Sequence, residues 1–268
     1  MNIYAEILKA EKQKKDFALL TVVRTDGSVP RHESSKMMVF PDGSIIGTIG
    51  GGTLEKKSIE EAVKQIGIGQ SKLLEYRLNI ETGNDLNMVC GGNADVFIEV
   101  HKTRPKLVIC GAGHVGKALS TIAGTVDFDI TIIDNRPEWA NDERFPEAGS
   151  IIVREDITKA IDELYTDSNT YFVVATWGHK YDKVALKSTL YKESCYVGMM
   201  GSPMKAKELF SQLLEEGVSK ELLDKVHTPI GLDIKAETPE EIAISIMAEV
   251  IMVKNSATGR PMSEGREN

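Results

Sequence analysis

The sequence predicts an α/β protein, with an N-terminal mixed α/β domain followed by a doubly wound parallel sheet. Three observations predict it. Residues 106–134 hold an apolar run, the pattern Gly111-Ala112-Gly113-His114-Val115-Gly116, a helical segment, and a second apolar run closed by Asp134. From there to residue 250, β-branched runs alternate with segments of helical period, as in strands joined by crossover helices. Residues 36–49 instead place two apolar runs either side of Pro41-Asp42-Gly43-Ser44, a hairpin signal.

In chain order, residues 2–14 read as an amphipathic helix with Ile3, Ile7 and Leu8 on one side. Phe17 to Val23 is β-branched and apolar enough for a central strand. Gly50-Gly51-Gly52 ends the hairpin, and Thr53 falls where a helix N-cap is expected. Ile59, Ala62, Val63 and Ile66 then recur at helical spacing. Leu73–Leu78 and Ala94–Val100 read as further strands, and the charged, proline-ended stretch 101–105 marks a boundary. The expected domains are therefore 1–102 and 103–254, with 255–268 a loose polar tail.

In the second domain Leu107–Ile109 has the character of a strand buried on both faces. Gly111 permits the tight turn, Gly113 lets a phosphate approach the backbone, and Gly116 lets the helix pack on the strand. The amides at the start of that helix, with the positive end of its dipole, form an anion site. Asp134 stands 23 positions after Gly111, where a carboxylate accepts ribose hydroxyls, so the unit reads as a Rossmann dinucleotide site. Asp134 favours NAD over NADP, while Arg136 blurs that preference, since an arginine there meets a 2′-phosphate. Strands at Ser150–Val153, Tyr171–Ala175 and Cys195–Gly198 and helices at 158–165 and 179–192 continue the alternation. Gly201-Ser202 opens another helix, and Thr238-Pro239 starts the last, with Ile242, Ile246 and Val250 as its packing face.

Composition excludes several classes. A net charge of −8 over 268 residues argues against a nucleic-acid partner. No apolar run reaches the roughly 18 residues of a membrane span, and residues 1–6 lack a signal-peptide core, so a cytoplasmic location is expected. Cys90, Cys110 and Cys195 form no CxxC pair, which rules out a zinc ribbon and a disulfide framework. His32, His101 and His227 have no partner at metal-ligand spacing, so no metal site is expected. Cys110 and Cys195 read as packing residues.

Taken together, Arg24-Thr-x-Gly27-Ser28-x-Pro30-Arg31, Gly47-Thr-Ile-Gly-Gly-Gly52-x-Leu54-Glu55, Cys90-Gly-Gly92, Gly111-x-Gly-His-Val-Gly116, Gly198-Met-Met-Gly-Ser202 and Pro229-Ile-Gly-Leu-Asp-Ile234 resemble the xanthine dehydrogenase accessory factor family, the XdhC/CoxI proteins. The resemblance implies a protein that carries molybdenum cofactor (molybdopterin) as cargo and delivers it, sulfurated, to a xanthine dehydrogenase-type molybdenum hydroxylase apoenzyme. It also implies a homodimer and a cysteine desulfurase as a further partner. Two departures stand out: Thr53 replaces the cysteine common after the triple glycine, and Pro203-Met204 precedes Lys205 where basic residues usually follow Gly-Ser.

The candidate ligand contacts are thus Arg24, Gly50, Gly51, Gly52, Gly111, Gly113, His114, Val115, Gly116, Asp134, Arg136, Gly201 and Ser202. Backbone amides at glycine junctions suit an acidic protein that must hold a phosphate. Glu55 reads as a helix-dipole partner rather than a ligand contact. Cys90 and His179 are the candidates for chemistry, the first as a reachable thiolate, the second as an acid or base at a strand's C-terminal end; a structural cysteine and an exposed loop histidine are the plain alternatives. The rival class is an NAD(P)-dependent oxidoreductase, which needs a positioned acid or base beside the cofactor. No Tyr-x-x-x-Lys is present, so the chain reads as a carrier more than a catalyst.

Overall fold

The computed structural model describes residues 2–13, 15–26, 33–77 and 93–265, the side chains of His179, Glu264 and Gly265 excepted. The chain forms two compact units, Met1–Thr103 and Arg104–Asn268.

In the first unit, α1 (Ile3–Lys12) precedes β1 (Phe17–Asp26), the hairpin β2 (Lys36–Val39) and β3 (Ile45–Gly47), α2 (Gly52–Ile68), β4 (Lys72–Arg77) and β5 (Asn93–His101). They form one antiparallel sheet in the order β3-β2-β1-β5-β4, with β1 at its centre as its apolar run demands. Successive β1 side chains point to opposite faces. Ala18, Leu20 and Val22 pack with Leu54, Ala62 and Ile66 of α2, while Phe17 and Leu19 pack with Ala10 of α1. A register shift between Val22 and Arg24 interrupts the β1–β5 ladder near the end of β1. Such a bulge twists the strand and re-aims the residues beyond it.

The second unit runs β6 (Lys106–Cys110), α3 (His114–Thr125), β7 (Asp129–Asp134), β8 (Ser150–Val153), α4 (Ile157–Asp162), β9 (Thr170–Val174), α5 (His179–Thr189), β10 (Tyr196–Met199), α6 (Pro203–Glu215), α7 (Lys220–Leu223), β11 (Val226–His227) and α8 (Pro239–Lys254), with a 3-10 turn at Met262–Gly265. All six strands are parallel, in the order β11-β10-β9-β6-β7-β8. The chain winds outward one way from β6 and then, from β9, the other way, which is the doubly wound arrangement. Leu107 and Ile109 of β6 face α3 and α8; Val108 and Cys110 face the layer of α4, α5 and α6. Both faces are covered, which is why this sheet's strands read as continuous apolar runs rather than alternating ones.

Several expectations are corrected. Helix α4 ends at Asp162, short of Tyr165. Strand β11 and helix α7 are absent from the sequence reading, since two and four residues carry no period. Cys195 is exposed rather than packed, because β10 begins one residue later and leaves it in the preceding loop. Cys110 is buried, and burial pushes its thiol up to about 12, with Asp182 adding to the shift. Thr238 caps α8 as expected and forms a full capping box with Glu241.

Candidate functional site

Where β6 and β9 part, their C-terminal ends open the crevice in which such sheets bind ligands. Gly111 turns the chain at φ +127° and donates its N–H to the Ile133 carbonyl at 2.8 Å. A Cβ there would lie 2.1 Å from the Ala175 oxygen, and one on Gly116 would lie 2.0 Å from the Gly111 oxygen. Both glycines are demanded by the protein's own packing. Gly113 is different: a Cβ would meet nothing within 4 Å, so its bare side faces open space. It is the N-cap of α3 and supplies no side chain to the first-turn amides, which start at His114, Val115 and Gly116. No side chain of this helix start caps its first-turn amides, the groups that at other helix N-termini take anions.

The other two glycine junctions are organised by the chain's own side chains, although a Cβ on Gly51 would also meet nothing within 4 Å. Gly50, Gly51 and Gly52 have φ of +131°, +76° and +69°, which only glycine adopts readily. Their loop wraps the carboxylate of Glu55, which accepts from the Thr48 hydroxyl, from the Ile49 amide at 2.9 Å and from the Gly51 amide at 3.1 Å. Thr53 is not the N-cap; Gly51 is, and it brings no side chain to the first turn, while Glu55 reaches back to the amides that precede the helix. Burial pulls the Glu55 pKa up, but Thr48 and the loop amides outweigh it and hold the carboxyl below its ordinary 4.5. At the third junction Ser202 caps its own helix by accepting from the Lys205 amide at 3.2 Å, and a Cβ on Gly201 would meet the Lys205 side chain at 3.0 Å.

A folded-state pKa below the unfolded one stabilises above the unfolded value and loses that contribution as pH falls through the folded value. Glu55→Gln is therefore expected to cost about 1.5–3 kcal/mol near neutral pH, the range for hydrogen bonds to a charged acceptor. Below pH 4.5 its stability should converge with that of the unaltered chain. Urea unfolding at pH 7 and pH 3.5 checks this; equal stability at pH 7 would remove Glu55 as the organiser of the loop.

Around the open junction lies a dense set of groups. Asp134 is 1% exposed, and each of its oxygens accepts twice: Oδ1 from the Arg136 amide at 3.0 Å and its Nε at 2.9 Å, Oδ2 from the Ala112 amide at 2.7 Å and Arg136 Nη2 at 2.8 Å. Burial raises the Asp134 pKa, but the Arg136 fork and the Ala112 amide prevail and hold it below the usual aspartate range. The Arg136 guanidinium lies 5.0 Å from the Trp139 ring and 5.4 Å from that of Trp177. Trp177 donates to Asn135 Oδ1 at 3.1 Å, and His114 meets Trp139 edge-on at 5.4 Å. Arg144 stacks over Trp139 at 4.5 Å and reaches the Ala112 carbonyl at 3.4 Å. After β9, buried Asp182 accepts from the Thr176 amide at 3.1 Å and hydroxyl at 2.6 Å and pairs with Lys205.

The crevice thus brings together Gly111, Gly113, His114, Val115, Gly116, Asp134 and Arg136 from the sequence candidates. His179 opens α5 beside it, but its side chain lies outside the described residues. Cys90 lies outside them too. Arg24 stands in the first unit, in a small polar pocket with Asp26, Arg77, Asn93 and Asp95. Sequence reasoning missed Trp139, Trp177, Arg144, Asp182 and Lys205. The one available signal was that the chain's two tryptophans each follow the end of a strand. Among the described residues no cluster of His, Cys, Asp or Glu is placed to hold a metal ion, and no helix is long and apolar enough to cross a membrane.

Two family models match the chain: the XdhC Rossmann domain over residues 107–250 and the XdhC and CoxI family over 10–77. The chain is 39% identical over 259 residues to the uncharacterized protein YqeB of Escherichia coli K12, covering 97% of this chain and 47% of that protein. It is 29% identical over 160 residues to a probable xanthine dehydrogenase subunit of Bacillus subtilis, covering 60% of this chain and 46% of the relative. The chain spans about half the length of these two relatives. The molybdenum cofactor insertion chaperone PaoD of E. coli is 20% identical across 90% of this chain and 84% of its own. Among solved structures, one described as a xanthine dehydrogenase of Bacillus halodurans shares the fold with a TM-score of 0.52 at 21% identity, covering 99% of this chain and 98% of its own.

Proposed function

The chain belongs to the XdhC and CoxI family, and from that premise we infer that it is an accessory factor that binds molybdenum cofactor and helps deliver it to a xanthine dehydrogenase-type molybdenum hydroxylase. The observation that carries this reading is the open junction at Gly113, whose bare side and uncapped helix start suit a phosphate group. Molybdopterin ends in such a phosphate. Likeness to a protein described as a molybdenum cofactor insertion chaperone supports the same role. The half-exposed ring of Trp177 stands on the loop after β9, where a planar pterin would find a flat apolar partner.

The protein's part is to hold and orient. Amides at α3 hold the phosphate of the cargo. Sulfuration needs a reachable thiol to relay sulfur from a cysteine desulfurase. Cys110 is buried with its thiol raised to about 12, and Cys195 precedes β10, at the opposite end of the strand from the crevice. Cys90, followed by two glycines, is the cysteine assigned to that relay, with a homodimer as the working assembly.

The test is pterin retention and client activation. Purified chain incubated with molybdenum cofactor and passed through a desalting column is expected to retain pterin, read as its fluorescent oxidation product. Added to apo-hydroxylase together with cofactor, it should raise the recovered activity above that of cofactor alone. Retention without activation makes the protein a cofactor store; neither effect removes the reading altogether.

A further inference from the structure

A dinucleotide asks two things of a Rossmann crevice: bare amides for its pyrophosphate and a free carboxylate, at the end of the second strand, for its ribose hydroxyls. The first is present at Gly113. The second is already taken. An ionised carboxylate offers about four lone-pair directions. All four of Asp134 are filled, by the Ala112 amide at 2.7 Å and by the Arg136 amide, Nε and Nη2 at 3.0, 2.9 and 2.8 Å.

The disagreement between the glycine pattern and this blocked acceptor is informative. We propose that Arg136 stands in for the ribose diol, so that the crevice is a phosphate site closed to NAD. Neutral hydroxyls are poor replacements for a guanidinium fork, because charge-assisted bonds are roughly twice as strong as neutral ones. To admit the diol, Arg136 would also have to leave the stack between Trp139 and Trp177, and it would leave behind a carboxylate that is 1% exposed. A ligand that brings a phosphate and no diol makes no such demand. Arg136 is thereby a specificity-determining residue. Its role stands apart from the maturation reading: a chain that bound NAD could still carry a pterin.

Both tryptophans of the chain flank Arg136, so energy transfer from tryptophan to NADH reports binding at this spot. The full chain is expected to show no saturable transfer up to about 1 mM NADH, a binding free energy weaker than about −4 kcal/mol. Arg136→Ala, which frees Asp134, should bind NADH at least roughly tenfold more tightly, about 1.4 kcal/mol. Adding Asp134→Asn to that variant should remove the gain. Inorganic pyrophosphate should quench the fluorescence of the unaltered chain and of Arg136→Ala alike. Should Arg136→Ala fail to fold, Arg136→Lys keeps the charge without the fork and is expected to show the same gain, reduced. Micromolar NADH binding by the unaltered chain, or no gain in a folded variant, overturns the proposal. Absence of any response to pyrophosphate overturns its phosphate half.

Discussion

Gly113→Val is expected to abolish phosphate binding while leaving the fold almost untouched. The position separates the two effects because of what surrounds it. A Cβ on Gly113 meets nothing within 4 Å, and its φ of −67° suits any residue. The isopropyl group therefore projects into the crevice rather than into the protein. At an N-cap the change should cost no more than about 1 kcal/mol. A ligand phosphate loses much more. Pushed off the helix start, it forfeits two or three charge-assisted bonds, and at about 1.5–3 kcal/mol each this predicts a drop in affinity of roughly 100-fold or more. Titration with pyrophosphate and with molybdopterin, beside a melting curve, checks both halves. Unchanged affinity in the folded variant would place the phosphate elsewhere.

How far the sequence reached depends on how local each cause was. The unit β6-α3-β7 was legible because glycine spacing, apolar runs and the closing acid lie within 29 residues and each has a steric reason. Gly111 and Gly116 do in the fold what that reading asked of them, since backbone packing leaves no room for a side chain. The hairpin around Pro41–Ser44 and the cap at Thr238 were legible for the same reason. Glu55 was half legible: its place in the first turn of α2 was plain, yet its bonds run backward to Ile49 and Gly51, around glycines whose positive φ no composition reveals. Asp134 and Arg136 are two residues apart, and the same spacing serves equally well for a free carboxylate and for a paired one. Geometry alone decides between them. Pairs such as Lys205 with Asp182, or Tyr196 with Glu249 at 2.6 Å, join residues 23 and 53 positions apart and carry no local signal.

The opposite outcome is expected three residues on, inside α3. Gly116→Ala adds one methyl group where Gly113→Val adds three carbons, yet it should be the far more damaging change. The new Cβ would fall 2.0 Å from the Gly111 oxygen and 3.2 Å from its carbonyl carbon, both of them backbone. No rotamer relieves such a contact, so α3 must lift from β6. That motion strains Gly111, itself pinned by its bond to Ile133 at 2.8 Å, and opens the packing of buried Leu119 and Ala123 against the sheet. Overpacking a core costs about 1–3 kcal/mol even where side chains can give way, and backbone cannot. Alanine's better helix propensity returns at most about 1 kcal/mol. The net loss is expected near 3 kcal/mol, or a fall of roughly 6–12 °C in melting temperature for a unit of this size. Calorimetry of the full chain, with Gly113→Ala as the control that should melt like the unaltered protein, settles the point. If both variants melt alike, close approach of helix to strand is not why the third glycine is there.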